Sequence, residues 1–426
     1  MTLPSIDRMA GIVPSTTGFH AMAKPSGPAC NLDCSYCFYL EKEALFPGKQ
    51  MRRMSNEVLE AHVRNTIAST PRGQPVMFTW QGGEPTLLGL DFYRRAVALQ
   101  ALHGEGRRID NGFQTNGTLI DDEWAAFLAE NQFLVGLSLD GPREIHDRFR
   151  RYRSGAPTFD LVLAALERLQ RHGVEYNVLA CVDGNSAAHP LQVYRFLKAQ
   201  GVKHIQFTPV VERLAGEREK AIGLDLAGPD GTMENENSDA ALAPFSVSPA
   251  AWGSYLSAVF REWAGRDVGE IFVMNFEWTL AAMVGAPGVV CVHQPTCGRA
   301  VIAEHDGTVY SCDHFVYPEY RLGNIVTDSL AAMVDSTQQQ AFGRAKHETL
   351  PTQCRKCPFL ELCWGGCPKH RFARTREGEP GLNYLCEGYV DYFATAVPKL
   401  AQIARLLEAG RDPAESKSAG PGAGGG

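Results

Sequence analysis

Three closely spaced cysteines carry the clearest chemical signal in this chain. Cys30, Cys34 and Cys37 form a Cys-x3-Cys-x2-Cys run. Four thiolates would complete a tetrahedral zinc site or saturate an iron–sulfur cubane, whereas three thiolates on a [4Fe–4S] cluster leave one iron without a protein ligand. Because an open iron can bind a substrate or cofactor, the triplet favours a catalytic site over a purely structural one.

Most of the other cysteines fall in the C-terminal third. They occur as Cys291-x5-Cys297-x14-Cys312, then Cys354-x2-Cys357-x5-Cys363-x3-Cys367, then Cys386. Any one pair is compatible with a zinc ribbon, but eight ligands make two sets of four. Cys181 stands apart in an apolar run typical of a buried strand, and we interpret it as a core thiol.

Composition bounds the class of protein. The chain has 426 residues, 44% hydrophobic and 21% charged, with a net charge of −7. These values predict a soluble globular protein of two domains, or one large domain with an appendage. Without a basic stripe or an apolar run near the roughly 18 residues of a membrane span, neither nucleic acid nor membrane is expected as partner. Because no secretory signal is recognisable and cytoplasmic thiols stay reduced, twelve cysteines predict a cytoplasmic location.

Short β-like runs alternate with amphipathic helical segments in the first half. Helices are predicted over Asn56–Ile67, with Ser55 as N-cap, and over Phe159–His172. Six β–α units in series predict a parallel sheet with outer helices, either an incomplete (β/α) barrel or a doubly wound sheet. The candidate strands are Gly18–Ala23, Val76–Trp80, Gly112–Thr115, Leu134–Leu139, Glu175–Val182 and His204–Pro209.

The second half of the chain differs from the first in composition and in the pattern of apolar residues. The polar segment Leu214–Pro244 shows no sustained period, and we expect an inserted, disordered surface loop. Helices are expected over Ala250–Trp263 and over Tyr392–Leu407, the latter interrupted or restarted at Pro398. The glycine-rich tail Arg411–Gly426 is expected to be disordered.

A second motif, Trp80-Gln-Gly-Gly-Glu-Pro-Thr86, follows the second candidate strand. Adjacent glycines let the backbone approach a ligand closely, at the strand ends where barrel active sites gather. Gly-Gly-Glu-Pro alone is more often a turn, but one β–α unit after the cysteine triplet it is a strong signal. Together the two motifs resemble the radical S-adenosylmethionine (SAM) superfamily, over about Ala23 to Arg213.

This resemblance implies a partial (β/α)6 TIM-like barrel in which the open iron binds the amino and carboxylate groups of SAM. Reductive cleavage would then give a 5′-deoxyadenosyl radical. Tyr36 would lie against the adenine, and Gly83 would offer backbone groups to the SAM amino group. Ser138 and Arg150 are candidates for contacting ribose or carboxylate, although a solvated loop cation explains Arg150 equally well. Val211 could line the adenine pocket or pack in the core.

The second cysteine group resembles the SPASM auxiliary-cluster domain. In that family each set of four cysteines holds a fully ligated [4Fe–4S] cluster, so three clusters are expected in all. The resemblance assigns the nearer auxiliary cluster to Cys291, Cys297, Cys312 and Cys367, and the farther one to Cys354, Cys357, Cys363 and Cys386.

Four segments narrow the resemblance to anaerobic sulfatase-maturating enzymes, over about Phe19 to Leu407. Such enzymes oxidise a cysteine or serine in a Cys/Ser-x-Pro-x-Arg motif of a sulfatase to Cα-formylglycine. The implied partners are an unfolded or nascent sulfatase segment and a reduced flavodoxin or ferredoxin type electron donor. The segments are Cys312-Asp-His-Phe-Val-Tyr317, Leu322-Gly-Asn-Ile325, Cys367-Pro-Lys-His-Arg-Phe372 and Leu382-Asn-Tyr-Leu-Cys-Glu-Gly-Tyr389.

The same resemblance suggests roles for three further residues. Asp313, next to Cys312, is the candidate base for the substrate thiol or hydroxyl proton, and the nearer auxiliary cluster is the expected electron acceptor. Alternatively, Asp313 only accepts hydrogen bonds from backbone amides. Gln81 and Tyr39 are expected to hold the substrate peptide, with packing at the sheet end as the alternative. Nothing in the sequence decides between cysteine and serine.

The expected organisation is a radical SAM barrel over 1–213, an insertion and connecting helix over 214–288, a SPASM-like domain over 289–390, a C-terminal helix over 391–410 and a tail over 411–426.

Two alternative functions stay open. One is a different SPASM peptide-modifying enzyme, for instance one forming thioether crosslinks. The other is a non-catalytic iron–sulfur or zinc protein, against which the three-cysteine site and Gly82-Gly83-Glu84 argue.

Overall fold

The computed structural model describes residues 12–46, 53–229, 241–286 and 290–417. Its strands are rich in apolar and β-branched residues, and buried residues alternate with more exposed ones. In Val76–Trp80, for example, Val76, Phe78 and Trp80 are buried, whereas Met77 is exposed and Thr79 is half-buried. The strands in chain order are β1 (His20–Lys24), β2 (Val76–Trp80), β3 (Ile109–Thr115), β4 (Leu134–Ser138), β5 (Glu175–Val182), β6 (His204–Pro209), β7 (Phe272–Val273), β8 (Ala300–Glu304), β9 (Thr308–Tyr310), β10 (Arg321–Asn324), β11 (Ala373–Arg374) and β12 (Pro380–Leu382).

Helices connect most of these strands. Within the described ranges no helix is long and apolar enough to cross a membrane. The α-helices are α1 (Asn56–Ser69), α2 (Leu90–His103), α3 (Asp122–Glu130), α4 (Arg143–Phe149), α5 (Phe159–Arg171), α6 (Pro190–Ala199), α7 (Glu217–Ala221), α8 (Pro249–Arg266), α9 (Met274–Met283), α10 (Leu330–Val334), α11 (Thr337–Glu348), α12 (Thr352–Arg355), α13 (Leu360–Cys363) and α14 (Cys386–Glu408).

One ten-stranded sheet organises the molecule, in the order β10-β9-β8-β1-β2-β3-β4-β5-β6-β7. Strands β1 to β7 run parallel, β8 joins β1 in parallel, and β9 and β10 continue antiparallel. The sheet ends at β7 and β10 without pairing to each other, so the expected partial barrel is confirmed. The extension by β8 to β10 was not predicted: strands of the region expected as a SPASM-like domain over 289–390 extend the sheet of the barrel.

Outer helices bury one face against this sheet. In α1 the Ser55 side chain accepts a hydrogen bond from the Val58 N–H, as expected of an N-cap. Val58, Leu59 and Val63 then turn into the core. Fully burying an aliphatic side chain of this size stabilises the fold by about 1.5–3 kcal/mol, so the helical spacing of such residues fixes how each helix lies on the sheet.

The C-terminal helix differs from the prediction. Helix α14 begins at Cys386 and continues through Pro398 without interruption. An internal proline removes one backbone hydrogen bond at a cost of about 3 kcal/mol. Burial of Phe393, Ala396 and Leu400 on the face that packs against α8 offsets this cost.

Two segments expected to be disordered are partly ordered. The described part of Leu214–Pro244 contains α7 and short bridges that pair Arg213 with Leu242 and Leu214 with Leu226. Burial of Leu224 explains why this part folds; residues 230–240 of the prediction lie outside the described residues. In the tail, Pro413–Ser416 forms a 3-10 helix with Ser416 buried, so disorder was wrong there, and residues 418–426 lie outside the described residues.

Candidate active site

The cysteine triplet lies in the loop after β1, on a small apolar cluster separate from the main core. Leu32, Cys34 and Tyr36 are buried there, with Cys30 and Cys37 packed against them. Burial raises the pKa of the Cys30 thiol to about 12, and the pKa of Cys34 and Cys37 is raised for the same reason. Buried thiols of this kind ionise when a metal centre binds them, so the donor set fits an iron–sulfur cluster.

The Gly-Gly-Glu-Pro turn closes over this cysteine loop. A Cβ on Gly83 would lie 2.1 Å from the Ala29 carbonyl oxygen, so only glycine allows the two backbones to approach. The Gly83 N–H donates to the Gly27 carbonyl at 2.7 Å. This bond commits the Gly83 N–H to the fold, so the predicted contact between Gly83 and a ligand would fall to its carbonyl.

Glu84 anchors the same turn from inside. Its Oε1 accepts hydrogen bonds from the Thr86 N–H at 3.0 Å and from the Thr115 hydroxyl at 2.8 Å. Its Oε2 accepts one from the Asn116 N–H at 2.8 Å. Burial raises the pKa of this fully enclosed carboxyl. Glu84 thus ties the turn after β2 to the end of β3.

Two oppositely charged side chains, Asp140 and Arg150, contact Tyr36. Its hydroxyl donates to Asp140 Oδ2 at 2.7 Å, and Arg150 Nε donates to the same oxygen at 2.8 Å. Arg150 is 8% exposed, so the alternative of a solvated loop cation is wrong. Burial alone would raise the pKa of Asp140, but the Arg150 guanidinium lowers it. The pair places a fixed positive charge beside the cysteine loop.

The other predicted cofactor residues lie around this group. Ser138, at the end of β4, accepts a hydrogen bond from Gln114 Nε2 at 3.1 Å. Val211 is buried in the main core, whereas Val210 packs against the Cys34 cluster. Cys181, predicted to be a core thiol, packs against the same small apolar cluster rather than in the main core, and it accepts a hydrogen bond from Arg150 Nη2 at 3.5 Å.

An ion pair joins the barrel to the C-terminal region on the other side of the site. Lys24 Nζ lies 2.5 Å from Asp313 Oδ1, with the Lys24 side chain 1% exposed. Burial would raise the pKa of Asp313, but the Lys24 ammonium, helped by further cationic neighbours, lowers it. Asp313 therefore stays a carboxylate.

Gln81 and Tyr39 both contact this pair. Gln81 Oε1 accepts a hydrogen bond from Lys24 Nζ at 3.3 Å, and Lys24 Nζ lies 3.9 Å above the centre of the Tyr39 ring. The Tyr39 hydroxyl donates to Glu304 Oε1 at 2.5 Å. Burial raises the pKa of Tyr39 well above its usual value, so the phenol stays protonated. The structure thus brings Gln81, Tyr39 and Asp313 together, and their contacts with a peptide stay a prediction.

A further set of buried ionisable side chains lies near Asp313. Lys369 pairs with Glu212, which follows β6, and its Nζ lies 4.4 Å above the Phe38 ring. Burial lowers the pKa of Lys42 to about 7, and this lysine lies 3.5 Å above the Tyr317 ring. The surroundings of Asp313 therefore contain basic side chains from both the barrel and the C-terminal region.

The eight C-terminal thiols fall into two electrostatic groups. In the first group, burial raises the pKa of Cys297, Cys312 and Cys367, and the neighbouring Cys291 raises the pKa of each of them further. Cys386 has the other three cysteines of the second group as neighbours, and these four line one cavity. The grouping matches the two sets that the SPASM resemblance implies, and the ligand assignment stays a prediction. Within the described ranges, no group of three or more Cys, His, Asp or Glu side chains is arranged so that it could hold a single metal ion.

Two buried cations support these groups. Lys346 Nζ donates to the carbonyls of Cys291 at 2.6 Å and Gln294 at 2.5 Å, holding the first cysteine loop. Arg371 donates to the carbonyls of Gly365 at 3.0 Å and Lys346 at 2.6 Å. Its electrostatic neighbours are Cys354 and Cys363 of one group and Cys297 and Cys367 of the other, so its charge lies between the two.

Sequence reasoning missed several of these residues. Lys24, Asp140 and Glu304 each stand at the end of an apolar strand, where a charged side chain reaches the rim of a sheet. A charged residue at the end of an apolar strand is therefore the sequence signal that could have identified these three residues. Arg371 and Lys346 offer no comparable signal, because a basic residue near cysteines is usually solvated.

Comparisons with known proteins agree with this site. The radical SAM superfamily model matches residues 25–197, and the SPASM iron–sulfur cluster-binding domain model matches residues 296–358. A serine-type anaerobic sulfatase-maturating enzyme of Bacteroides thetaiotaomicron is 45% identical over 94% of this chain and 95% of the relative. A cysteine-type enzyme of Clostridium perfringens is 33% identical over 91% of this chain and 98% of its own.

Solved structures give the same result. Native anSMEcpe with bound AdoMet and the Cp18Cys peptide has a TM-score of 0.78 and 32% identity, covering 92% of this chain and all of that one. Streptococcus suis SuiB bound to its precursor peptide SuiA has a TM-score of 0.57 at 14% identity, which shows the fold alone.

Fold and site together define a radical SAM enzyme with a SPASM domain, whose cofactors are SAM and three [4Fe–4S] clusters. The sequence identity to these relatives over nearly the whole chain identifies one family within this class. The chain belongs to the anaerobic sulfatase-maturating enzymes.

Proposed function

We propose that this protein oxidises a cysteine or serine in a Cys/Ser-x-Pro-x-Arg motif of a sulfatase polypeptide to Cα-formylglycine. The observation that carries the proposal is Asp313, a carboxylate kept ionised by buried Lys24 and adjacent to Cys312. The relatives of both the serine and the cysteine type support the substrate class. An unfolded or nascent sulfatase segment is the proposed form of the substrate.

The chain's own residues would hold the cofactors as follows. Cys30, Cys34 and Cys37 would hold the cluster that binds SAM, with the Gly83 carbonyl, Tyr36, Ser138 and Arg150 fixing the orientation of SAM, whereas Val211 packs in the main core. When bound, SAM and the nearer auxiliary cluster would supply, respectively, the radical chemistry at the substrate Cβ and an acceptor for the second electron. The auxiliary sets would be Cys291, Cys297, Cys312 and Cys367, and Cys354, Cys357, Cys363 and Cys386.

Asp313 would take the remaining proton from the substrate. Removing a hydrogen atom from Cβ, a proton from the thiol or hydroxyl, and one electron is a two-electron oxidation. Serine then gives the aldehyde directly, whereas cysteine gives a thioaldehyde that water converts to the aldehyde with release of hydrogen sulfide. Gln81 and Tyr39 would position the peptide so that its thiol or hydroxyl faces Asp313.

We propose that serine is accepted as well as cysteine. The serine-type relatives are 45% and 36% identical to this chain, against 33% for the cysteine-type relative. Lys24 and Gln81, which are hydrogen-bonded to each other beside Asp313, would also offer polar partners to a hydroxyl. Paired peptides that differ only in cysteine or serine test this proposal, and turnover of cysteine alone would contradict it.

The electron donor and the location complete the proposal. A reduced flavodoxin or ferredoxin type protein would supply the electron that initiates each cleavage of SAM. A cytoplasmic location is supported by the twelve cysteines, all of them free thiols, which need a reducing compartment.

The test is anaerobic reconstitution with iron and sulfide, followed by SAM, dithionite and a Cys-x-Pro-x-Arg or Ser-x-Pro-x-Arg peptide. Conversion of the peptide to an aldehyde together with 5′-deoxyadenosine is the expected result. Deoxyadenosine with an unchanged peptide would contradict the substrate and favour another peptide modification, such as a thioether crosslink. Intact clusters with neither product would contradict the enzyme assignment itself.

A further inference from the structure

One exposed loop is bonded directly to the cysteine triplet. Residues 148–154, which we name the arginine loop, comprise the last two residues of α4 and the five residues that follow it. The Asp33 N–H donates to the Arg151 carbonyl at 2.8 Å, and Leu32 pairs with Tyr152 in an antiparallel bridge. Because residues 32 and 33 lie between Cys30 and Cys34, the arginine loop is attached to the backbone that would hold the cluster.

The loop presents positive charge to solvent. Arg148, Arg151 and Arg153 are exposed. Arg151 holds the loop together, since its guanidinium donates to the carbonyls of Asp147 at 2.5 Å and Gly155 at 3.0 Å. Arg148 and Arg153 form no ion pair and no side-chain hydrogen bond with any residue of the described ranges, so both are available to a partner.

The same loop borders an opening to the cluster site. Cys30 is half-buried and lines a surface depression together with Tyr152 and Arg153. Tyr152 also packs against the apolar cluster that contains Cys34. Only a few side chains therefore separate solvent from the predicted cluster on this side. Glu43 also lines the depression, and Asp33 is exposed nearby, whereas the arginine loop itself contains three exposed arginines and no acidic residue in a chain of net charge −7.

We propose that the arginine loop is the docking surface for an acidic electron-carrier protein that reduces the cluster held by Cys30, Cys34 and Cys37. The inference rests on the proposed function, since it names the partner of the same site. In the transfer the carrier is oxidised by one electron and the iron–sulfur centre is reduced by one, with no proton or further reactant. Opposite charge on the two surfaces accelerates encounter and sets orientation, and its effect falls as salt screens the charges.

The farther cysteine set offers a less suitable entrance. A surface depression beside Cys386 contains Lys356, Arg374 and Arg376, but Glu377, Glu379, Glu387 and Asp391 border it as well. An acidic carrier would meet as much repulsion as attraction there. The charge balance therefore favours the arginine loop.

The experiment measures reduction and binding separately. Flavodoxin hydroquinone is mixed with the cluster-loaded enzyme, and the flavin absorbance follows electron transfer; calorimetry with oxidised flavodoxin gives the affinity. The test variant is R148E/R153E, which leaves Arg151 in place. The matched controls are R405E, an exposed arginine on α14, and K356E/R376E beside the farther cysteine set.

At low ionic strength R148E/R153E should slow transfer and weaken binding by about tenfold or more, with the neutral variant R148Q/R153Q intermediate. The difference from wild type should shrink as salt is added. With dithionite, the charge-reversed variant should still reduce its cluster and oxidise the peptide at the wild-type rate, which shows that it is folded and loaded.

Two results would overturn the docking surface. One is an unchanged flavodoxin rate and affinity in R148E/R153E; the other is a loss in K356E/R376E alone. Failure of the proposed function is distinguishable, because wild-type enzyme would then leave the peptide unoxidised with dithionite while its reduction by flavodoxin could still depend on Arg148 and Arg153.

Discussion

Lys24 and Asp313 form an ion pair, 2.5 Å between Nζ and Oδ1, with Lys24 buried and Asp313 half-buried, although one ends the first strand and the other follows Cys312. The pairing of β1 with β8 brings them together: Lys24 lies opposite Glu304 in the register, and the chain reaches Asp313 after one further hairpin strand. A lysine removed from water keeps its charge at a low cost only beside a carboxylate. The pair therefore both joins the two regions and defines the ionisation state of the proposed base.

Replacing Asp313 by Asn should remove the proton acceptor without changing the shape of the site. We expect peptide oxidation to fall by about 10²- to 10⁴-fold, while SAM cleavage to 5′-deoxyadenosine continues, now uncoupled from product. Parallel assays of aldehyde and deoxyadenosine measure both. Asp91→Asn, at a side chain 95% exposed on α2, is the control, and oxidation at the control rate in Asp313→Asn would exclude the base role.

Replacing Lys24 by Met should move the acid limb of the pH–rate profile to higher pH. The Lys24 ammonium lowers the pKa of Asp313, and the base acts only as carboxylate, above that pKa. Without Lys24 the pKa rises, so activity is lost at a higher pH on acidification. Lys24→Arg keeps the charge and should keep the limb near its original position. A uniform loss of rate with an unshifted limb would mean that Lys24 has only a structural role.

Replacing Glu84 by Gln should destabilise the turn over the cysteine triplet. The carboxylate accepts bonds at both oxygens, from Thr115 and Asn116 among others, whereas an amide has a single acceptor oxygen. Leaving a buried donor unpaired costs about 1–3 kcal/mol. Urea unfolding of the apo-protein measures this change, and iron content after reconstitution should fall in parallel. Glu130→Gln, exposed at the end of α3, should stay within about 0.5 kcal/mol of wild type; equal stability of the two variants would contradict the anchoring role.

Replacing Arg371 by Met should lower the reduction potentials of the auxiliary clusters. The guanidinium is buried, with cysteines of both groups as neighbours, and removing a positive charge disfavours the added electron. Redox titration followed by electron paramagnetic resonance should show the fall in both auxiliary signals, while the signal of the SAM-binding cluster stays in place. Arg371→Lys keeps the charge and should retain the wild-type potentials. Unchanged potentials in Arg371→Met, with intact clusters, would contradict the electrostatic role.

The local signals in the sequence located the elements well. All six expected strands correspond to β1–β6, because alternating or continuous burial marks a strand regardless of what it pairs with. Pro398 was misleading, because the cost of an internal proline is local but the packing of α14 on α8 that offsets it is not. Leu224 and Ser416 were placed in disordered segments for the same reason: each is buried by residues distant in sequence.

By itself the sequence determined the chemistry: the spacing of Cys30, Cys34 and Cys37, the Gly82-Gly83-Glu84 turn and the family resemblance together indicated the cofactors and the reaction. Only the tertiary structure decided which charged groups surround the site. Strand β8 enters the sheet beside β1, and this long-range pairing places Lys24 against Asp313 and the Tyr39 hydroxyl against Glu304. No local pattern encodes such a pairing, because register between strands distant in sequence depends on the burial of the whole sheet.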